Sequence, residues 1–151
     1  MFLSPDMKDL IDIFHEKHVS YALVGGFAVN YYGYIRTTQD IDFLIYPSRE
    51  NADRMMEALS VFGFGKAGIP PEYFTREGAA IHIGSEPNRI DFLTSLKGVD
   101  NDTIFNNLQA VEIQGVTVKI ISLADLIQVK KRSKRLKDRA DAEELENISQ
   151  N

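Results

Sequence analysis

Apolar positions along the chain recur in short blocks whose spacing switches between helical and alternating. Ser4-Pro5 places a capping residue before a proline suited to a first helical turn, and Leu10, Ile11, Phe14 and His18 follow near helical spacing. This predicts a helix from Pro5 to His18. Tyr21-Ala22-Leu23-Val24 is a short apolar run that stops at Gly25-Gly26, after which Phe27 to Tyr32 reads as a helix ending near Gly33. Ile41, Phe43 and Ile45 alternate with Asp40, Asp42 and Leu44 up to Pro47, the pattern of a strand over Asp40 to Tyr46. Ser48 then caps a helix with Met55, Met56, Leu59 and Phe62 on its inner side, closing at Gly63.

Gly65, Gly68, Pro70 and Pro71 mark a loop, followed by two predicted strands, Ala79 to Ile83 and Arg89 to Leu93. Asp100 to Leu108 reads as a short helix. Val111 to Ile113 and Val116 to Ile120 flank Gln114-Gly115, a hairpin connection in which Gln is a poorer first turn residue than Asn or Asp. Ser122 opens a helix to about Lys134, and a last helix runs from Lys137 to Ile148. The order α-β-α-β-α-β-β-α-β-β-α-α, without a repeat or linker, predicts an α/β (α+β) fold. We expect one domain over residues 1–151, with a mixed central sheet flanked by helices.

Composition narrows the classes. With 44% hydrophobic and 26% charged residues, the 151-residue chain has the make-up of a globular domain. It has no cysteine, which excludes disulfides and Cys-ligated zinc. Asp6, Lys8 and Asp9 interrupt the N-terminus, so no signal peptide is expected and the protein reads as cytoplasmic. The longest uncharged run, Val19 to Ile35, is too short and too broken by glycines and tyrosines to span a bilayer. A net charge of −5 argues against nucleic-acid binding through bulk positive charge. Yet Lys130, Lys131, Arg132, Lys134, Arg135, Lys137 and Arg139 cluster ahead of Asp141, Glu143, Glu144 and Glu146. That run is either a helix face of i,i+4 pairs or a local anion site of a kind that binds RNA.

Three features carry chemistry. Asp40 and Asp42 stand two apart on a strand and project from one face, where like charges repel unless a cation such as Mg²⁺ joins them. A solvated strand face explains the same pattern. Gly25-Gly26 between strand and helix lets backbone approach an anion, although an ordinary turn has the same sequence. Asp91 lies between apolar residues on what reads as an interior strand, so either it is an edge residue or it has a metal or a basic partner; Arg89, two residues before it, could be that partner. His15, His18 and His82 lack metal spacing and are set aside. Asp138 and Asp141 are read as a helix cap and a partner for nearby bases, and Tyr31, Tyr32 and Tyr34 as packing residues.

Taken together, Gly25-Gly26, Asp40-Ile41-Asp42 and Asp91 resemble the nucleotidyltransferase superfamily that includes DNA polymerase beta, in particular its small single-domain bacterial members. Val24 to Asn30 and Arg36 to Asp42 look like a subgroup with Gly-Gly-x-Ala and Arg-x-Thr-x-Asp-x-Asp. Asp125 to Lys130 and Arg135 to Asp141 are similar to that subgroup's last helices, so the likeness spans Tyr21 to Leu145. Many relatives carry Ser where this chain has Gly26, which leaves any phosphate there to backbone N–H groups.

The resemblance implies a nucleotidyltransferase fold with C-terminal helices and transfer of a nucleoside monophosphate from an NTP to an acceptor hydroxyl, releasing pyrophosphate. Asp40, Asp42 and Asp91 would bind two Mg²⁺ ions about 4 Å apart, with Asp91 receiving the hydroxyl proton. Gly25, Gly26, Arg36, Thr38 and Lys130 would serve the nucleotide, Lys130 as a point charge on phosphate. The acceptor implied is an antibiotic, an RNA or a protein, held by a homodimer or a partner protein because the chain is short. The alternative is a non-catalytic NTP-binding or regulatory module, such as one half of a toxin–antitoxin pair. Retention of all three acids favours the enzyme.

Overall fold

A computed structural model describes residues 2–35 and 37–151 of the chain. Six strands form a mixed sheet: β1 (Tyr21–Val24), β2 (Ile41–Ile45), β3 (Ala80–Ile83), β4 (Ile90–Leu93), β5 (Gln109–Ile113) and β6 (Val116–Ile120). They lie in the order β3-β4-β2-β1-β6-β5. β1 runs parallel to β6 and β2 parallel to β4, while the β1/β2, β3/β4 and β5/β6 pairs are antiparallel. Six α-helices join them: α1 (Pro5–Glu16), α2 (Gly25–Tyr31), α3 (Arg49–Leu59), α4 (Asn101–Asn106), α5 (Leu123–Arg132) and α6 (Leu136–Ser149). The expected α/β class and element order are both found.

Capping chemistry explains where most helices begin. The side chains of Ser4, Ser48, Asp100 and Ser122 each accept the N–H of the residue three positions on, satisfying donors that a first turn leaves open. At the other end, α1 stops two residues earlier than its spacing suggests, because His18 adopts φ 56° and turns the chain toward β1. α3 also ends early, at Leu59. A π-helical turn over Ser60–Phe64 follows, interrupted by Gly63, and it leaves Phe62 half-buried and stacked on Phe64. The stretch read as loop contains a 3₁₀ turn, Pro71–Phe74, which exists because Phe74 is fully buried against Phe92.

The β5/β6 turn holds despite Gln114. Its φ of 51° is unusual for a non-glycine residue, but its side-chain oxygen accepts the N–H of Leu3, tying the turn to the segment before α1.

Strand alternation divides the sheet into two faces. Leu23 opposes Phe43, and Phe43 sits beside Phe92, so one face is apolar and packs on Phe14 of α1. Tyr21 joins the same cluster, its ring 4.9 Å from that of Phe14. The opposite face carries Val24, Asp42, Asp91 and Leu93. Asn51 locks β1 to the start of α3, accepting from Ser20 N–H at 2.7 Å and donating to the carbonyls of Ser20 and Tyr46.

Candidate active site

The acidic face is built by register. In the parallel β2/β4 pair Asp42 stands beside Asp91, and across the antiparallel β1/β2 pair it faces Val24, the residue before Gly25. The chain leaves β1 and enters α2 through Gly25 at φ +69°, and a Cβ there would overlap the Asp42 carboxyl. Only glycine meets both demands.

Crowding sets the protonation of the pair. Burial above all, then the charge and hydrogen bonding of Asp91 and the charge of Asp40, push the Asp42 carboxyl up to about 7, against the pull of Lys130. Burial also works against ionised Asp91, yet hydrogen bonds from Arg89 and His82 hold it below the ordinary carboxylate range. Arg89 donates to both its oxygens, from Nε at 2.8 Å and Nη2 at 3.1 Å, a two-pronged clasp. Nδ1 of His82, the register partner of Asp91 on β3, lies 2.7 Å from Oδ1. Asp40 precedes β2, and its Oδ1 is buried without a hydrogen-bond partner among the described residues.

Lys130 is buried, not a surface lysine. Its Nζ is 2.9 Å from Asp138 Oδ1 and 3.2 Å from Asp141 Oδ2, so the α5 cation is shared with two acids of α6. Asp138 also accepts from the Ser133 hydroxyl at 2.6 Å. Burial opposes its ionisation, but the bonds from Ser133 and Lys130 keep it below the usual carboxylate range. Thr38 donates to the backbone carbonyl of Asp40 at 3.3 Å and so steadies the approach to β2. Arg36 lies outside the described residues.

Two cavities of about 510 Å³ each open on either side of Asp42 and Lys130. A polar one brings together Gly25, Gly26, Thr38, Asp40, Asp42, Asp91 and Lys130. All the sequence-selected residues that are described therefore meet in one place. The other is floored by aliphatic side chains beside α5. Tyr32 instead donates to the Ile121 carbonyl at 2.6 Å, and no tyrosine lines either cavity.

His82 is the residue that sequence reading set aside. Its place beside Asp91 follows from strand pairing across a hairpin, and the alternation His82/Asp91 was its only signal. Arg89 was visible two residues from Asp91, but as an ion-pair partner rather than as part of a site.

The family model described as nucleotidyl transferase of unknown function (DUF2204) matches residues 4–151. The chain belongs to this DUF2204 family. Among solved structures it is similar to TM1012 of Thermotoga maritima, assigned as a nucleotidyltransferase, with 14% identity, 93% of this chain and 90% of that chain covered, and a TM-score of 0.62. It is also similar to the lincosamide antibiotic adenylyltransferase LnuA in its lincomycin-bound form, with 13% identity, 97% and 98% coverage and a TM-score of 0.56. The antibiotic-resistance factor ANT(2'')-Ia aligns at 12% identity over 97% of this chain and 83% of that one, with a TM-score of 0.59. At these identities the likeness concerns the fold. No curated protein sequence matches the chain. This DUF2204 member thus has the nucleotidyltransferase sheet, with its acids at the point where β1, β2 and β4 meet.

Proposed function

We propose that this DUF2204 protein transfers a nucleoside monophosphate from an NTP to an acceptor hydroxyl in a Mg²⁺-dependent reaction. The carrying observation is the side-by-side placement of Asp42 and Asp91 with Asp40 next to them. Such a trio costs stability without a cation, as the raised Asp42 pKa indicates.

The donor set suits a hard cation. Among the described residues no three acidic or histidine side chains stand in a ready-made metal cage, and Asp91 is turned to Arg89 and His82. Among the described residues, however, nothing donates to the buried Asp40 Oδ1, and Asp42 is an acid that burial and its acidic neighbours hold partly protonated. Both are relieved by a divalent ion on oxygen ligands, so Asp40, Asp42 and Asp91 are the residues that would hold it. When bound, Mg²⁺ would neutralise triphosphate charge and favour ionisation of the acceptor hydroxyl.

The chain's own groups do the rest. Gly25, Gly26 and Thr38 form the wall for the β and γ phosphates, and no capping side-chain bond closes the start of α2. Lys130 supplies positive charge from inside its pair with Asp138 and Asp141. The acceptor oxygen bonds to the α-phosphorus, the bond from that phosphorus to the bridging oxygen breaks, and pyrophosphate leaves. Asp91 receives the hydroxyl proton. Hydrogen bonds from Arg89 and His82 keep it ionised and so able to accept that proton.

Calorimetric titration with NTP, with and without Mg²⁺, tests this reading, followed by assay of pyrophosphate release with aminoglycoside, lincosamide, RNA and protein acceptors. Binding should need Mg²⁺ and vanish in the Asp40→Asn, Asp42→Asn double variant. Binding that persists unchanged there sinks it.

A further inference from the structure

The two cavities share Gly25, Asp42, Lys130, Arg135 and Asp138 but differ in chemistry. Among the described residues no aliphatic or aromatic side chain lines the polar one. The flat faces of a nucleobase need apolar surface. The other cavity offers it: Val24, Leu93, Leu96, Leu126 and Val129 form its floor. Asp40 and Asp91 border the polar cavity alone, which leaves that side to the attacking hydroxyl and the departing pyrophosphate.

The rim of the apolar cavity is made of donors. Lys97, Arg132, Lys134 and Arg135 all border it. Among the described residues no carboxylate pairs with Lys97, Arg132 or Lys134. Its two acids are already engaged: Asp138 by Lys130 and Ser133, and Asp42 in the acidic trio. Gly98, at φ +100°, presses the loop after β4 against α5 so closely that a Cβ would come within 2.5 Å of Arg132 Cγ. The stem of Arg132 is therefore held in the cavity wall.

Resting on the donor-nucleotide reading above, we infer that this cavity takes the nucleobase of the donor and selects bases presenting keto oxygens, guanine ahead of uracil, over adenine and cytosine. Guanine offers O6 and N7 to one guanidinium, and uracil offers O4. With that edge on the rim, guanine turns its N1–H and exocyclic amine away, whereas adenine N6 and cytosine N4 put donor amines against the cations. The selectivity lies in the rim, not in the acids or the glycine turn.

The test is calorimetry of the full chain with the α,β-methylene analogues of GTP, UTP, ATP and CTP in MgCl₂, which separates binding from turnover. The GTP analogue should bind about tenfold or more tighter than the ATP analogue, and the UTP analogue tighter than the CTP analogue. Arg132 and Lys134 are exposed, so the Arg132→Ala, Lys134→Ala variant keeps the fold. It should narrow the GTP to ATP ratio to within about threefold while weakening all four analogues. ATP or CTP analogues binding as tightly as GTP in the unmodified chain overturn the inference, and would point to the carbonyls of the last turn of α5 as acceptors. A ratio unchanged in the double variant overturns it too. If none of the four binds in MgCl₂, the donor-nucleotide reading itself falls, a result distinct from binding without preference.

Discussion

Gly25 and Asp42 occupy one crowded spot and make opposite predictions. In Gly25→Ala the new methyl displaces the Asp42 carboxyl and adopts a left-handed backbone, at about 1–2 kcal/mol for the backbone alone. The variant should melt lower and lose Mg²⁺-dependent nucleotide binding, read by calorimetry and differential scanning. Asp42→Asn removes the charge that its neighbours resist. Without metal at neutral pH it should be more stable than the native chain by about 1–2 kcal/mol, roughly 3–6 °C in melting temperature, while losing Mg²⁺-dependent binding. The sign with pH follows. A carboxyl raised to about 7 gives its full stability below the ordinary carboxylate range and loses it as pH climbs through 7. The urea midpoints of the native chain and Asp42→Asn should therefore converge in acid and separate toward neutrality. Midpoints that differ equally at every pH would contradict the buried-pair account.

Between elements, the joint of α5 with α6 is built around a shared buried cation. Lys130 is shared by Asp138 and Asp141, the latter only 1% exposed. Lys130→Ala takes the shared cation from Asp138, which keeps Ser133 and Arg135, and from the buried Asp141, and should cost more than about 1 kcal/mol by urea denaturation. A loss under about 1 kcal/mol would mean that the pairs are solvated. Helix starts were legible because capping is local: a Ser or Asp acts on an N–H three residues away. The 3₁₀ turn at Pro71–Phe74 and the early end of α3 were not legible, since each answers to packing by distant residues, Phe92 in the first case. The β5/β6 turn is similar, because Gln114 is acceptable there only while Leu3 reaches it.

Across the whole molecule, charge is more balanced than the basic stretch suggests. Lys130 and Arg135 face Asp138, and Lys131 pairs with Glu146 at 3.2 Å. Among the described residues this leaves Arg132, Lys134, Lys137 and Arg139 without an ion pair. Affinity for a generic RNA in filter binding should therefore fall with salt at a log–log slope no steeper than about −3. A much steeper slope would give the stretch a larger nucleic-acid role than its pairing allows. The candidate acids were legible as residue types, because Asp two apart on an alternating strand share a face in any sheet. Their convergence was not. It depends on β4 docking parallel to β2 in the register that sets Asp91 beside Asp42, and on β3 then bringing His82 to Asp91.

Periodicity, caps and turn residues were enough to specify helices, strands, their order and the acid and glycine positions, since each acts over a few neighbouring residues. The pairing of β2 with β4, the burial of Lys130 between two acids and the division of the cleft into polar and apolar halves come from contacts far apart in the chain. Those contacts form only once β4 and the two last helices dock against the rest of the fold, and no short-range pattern encodes them.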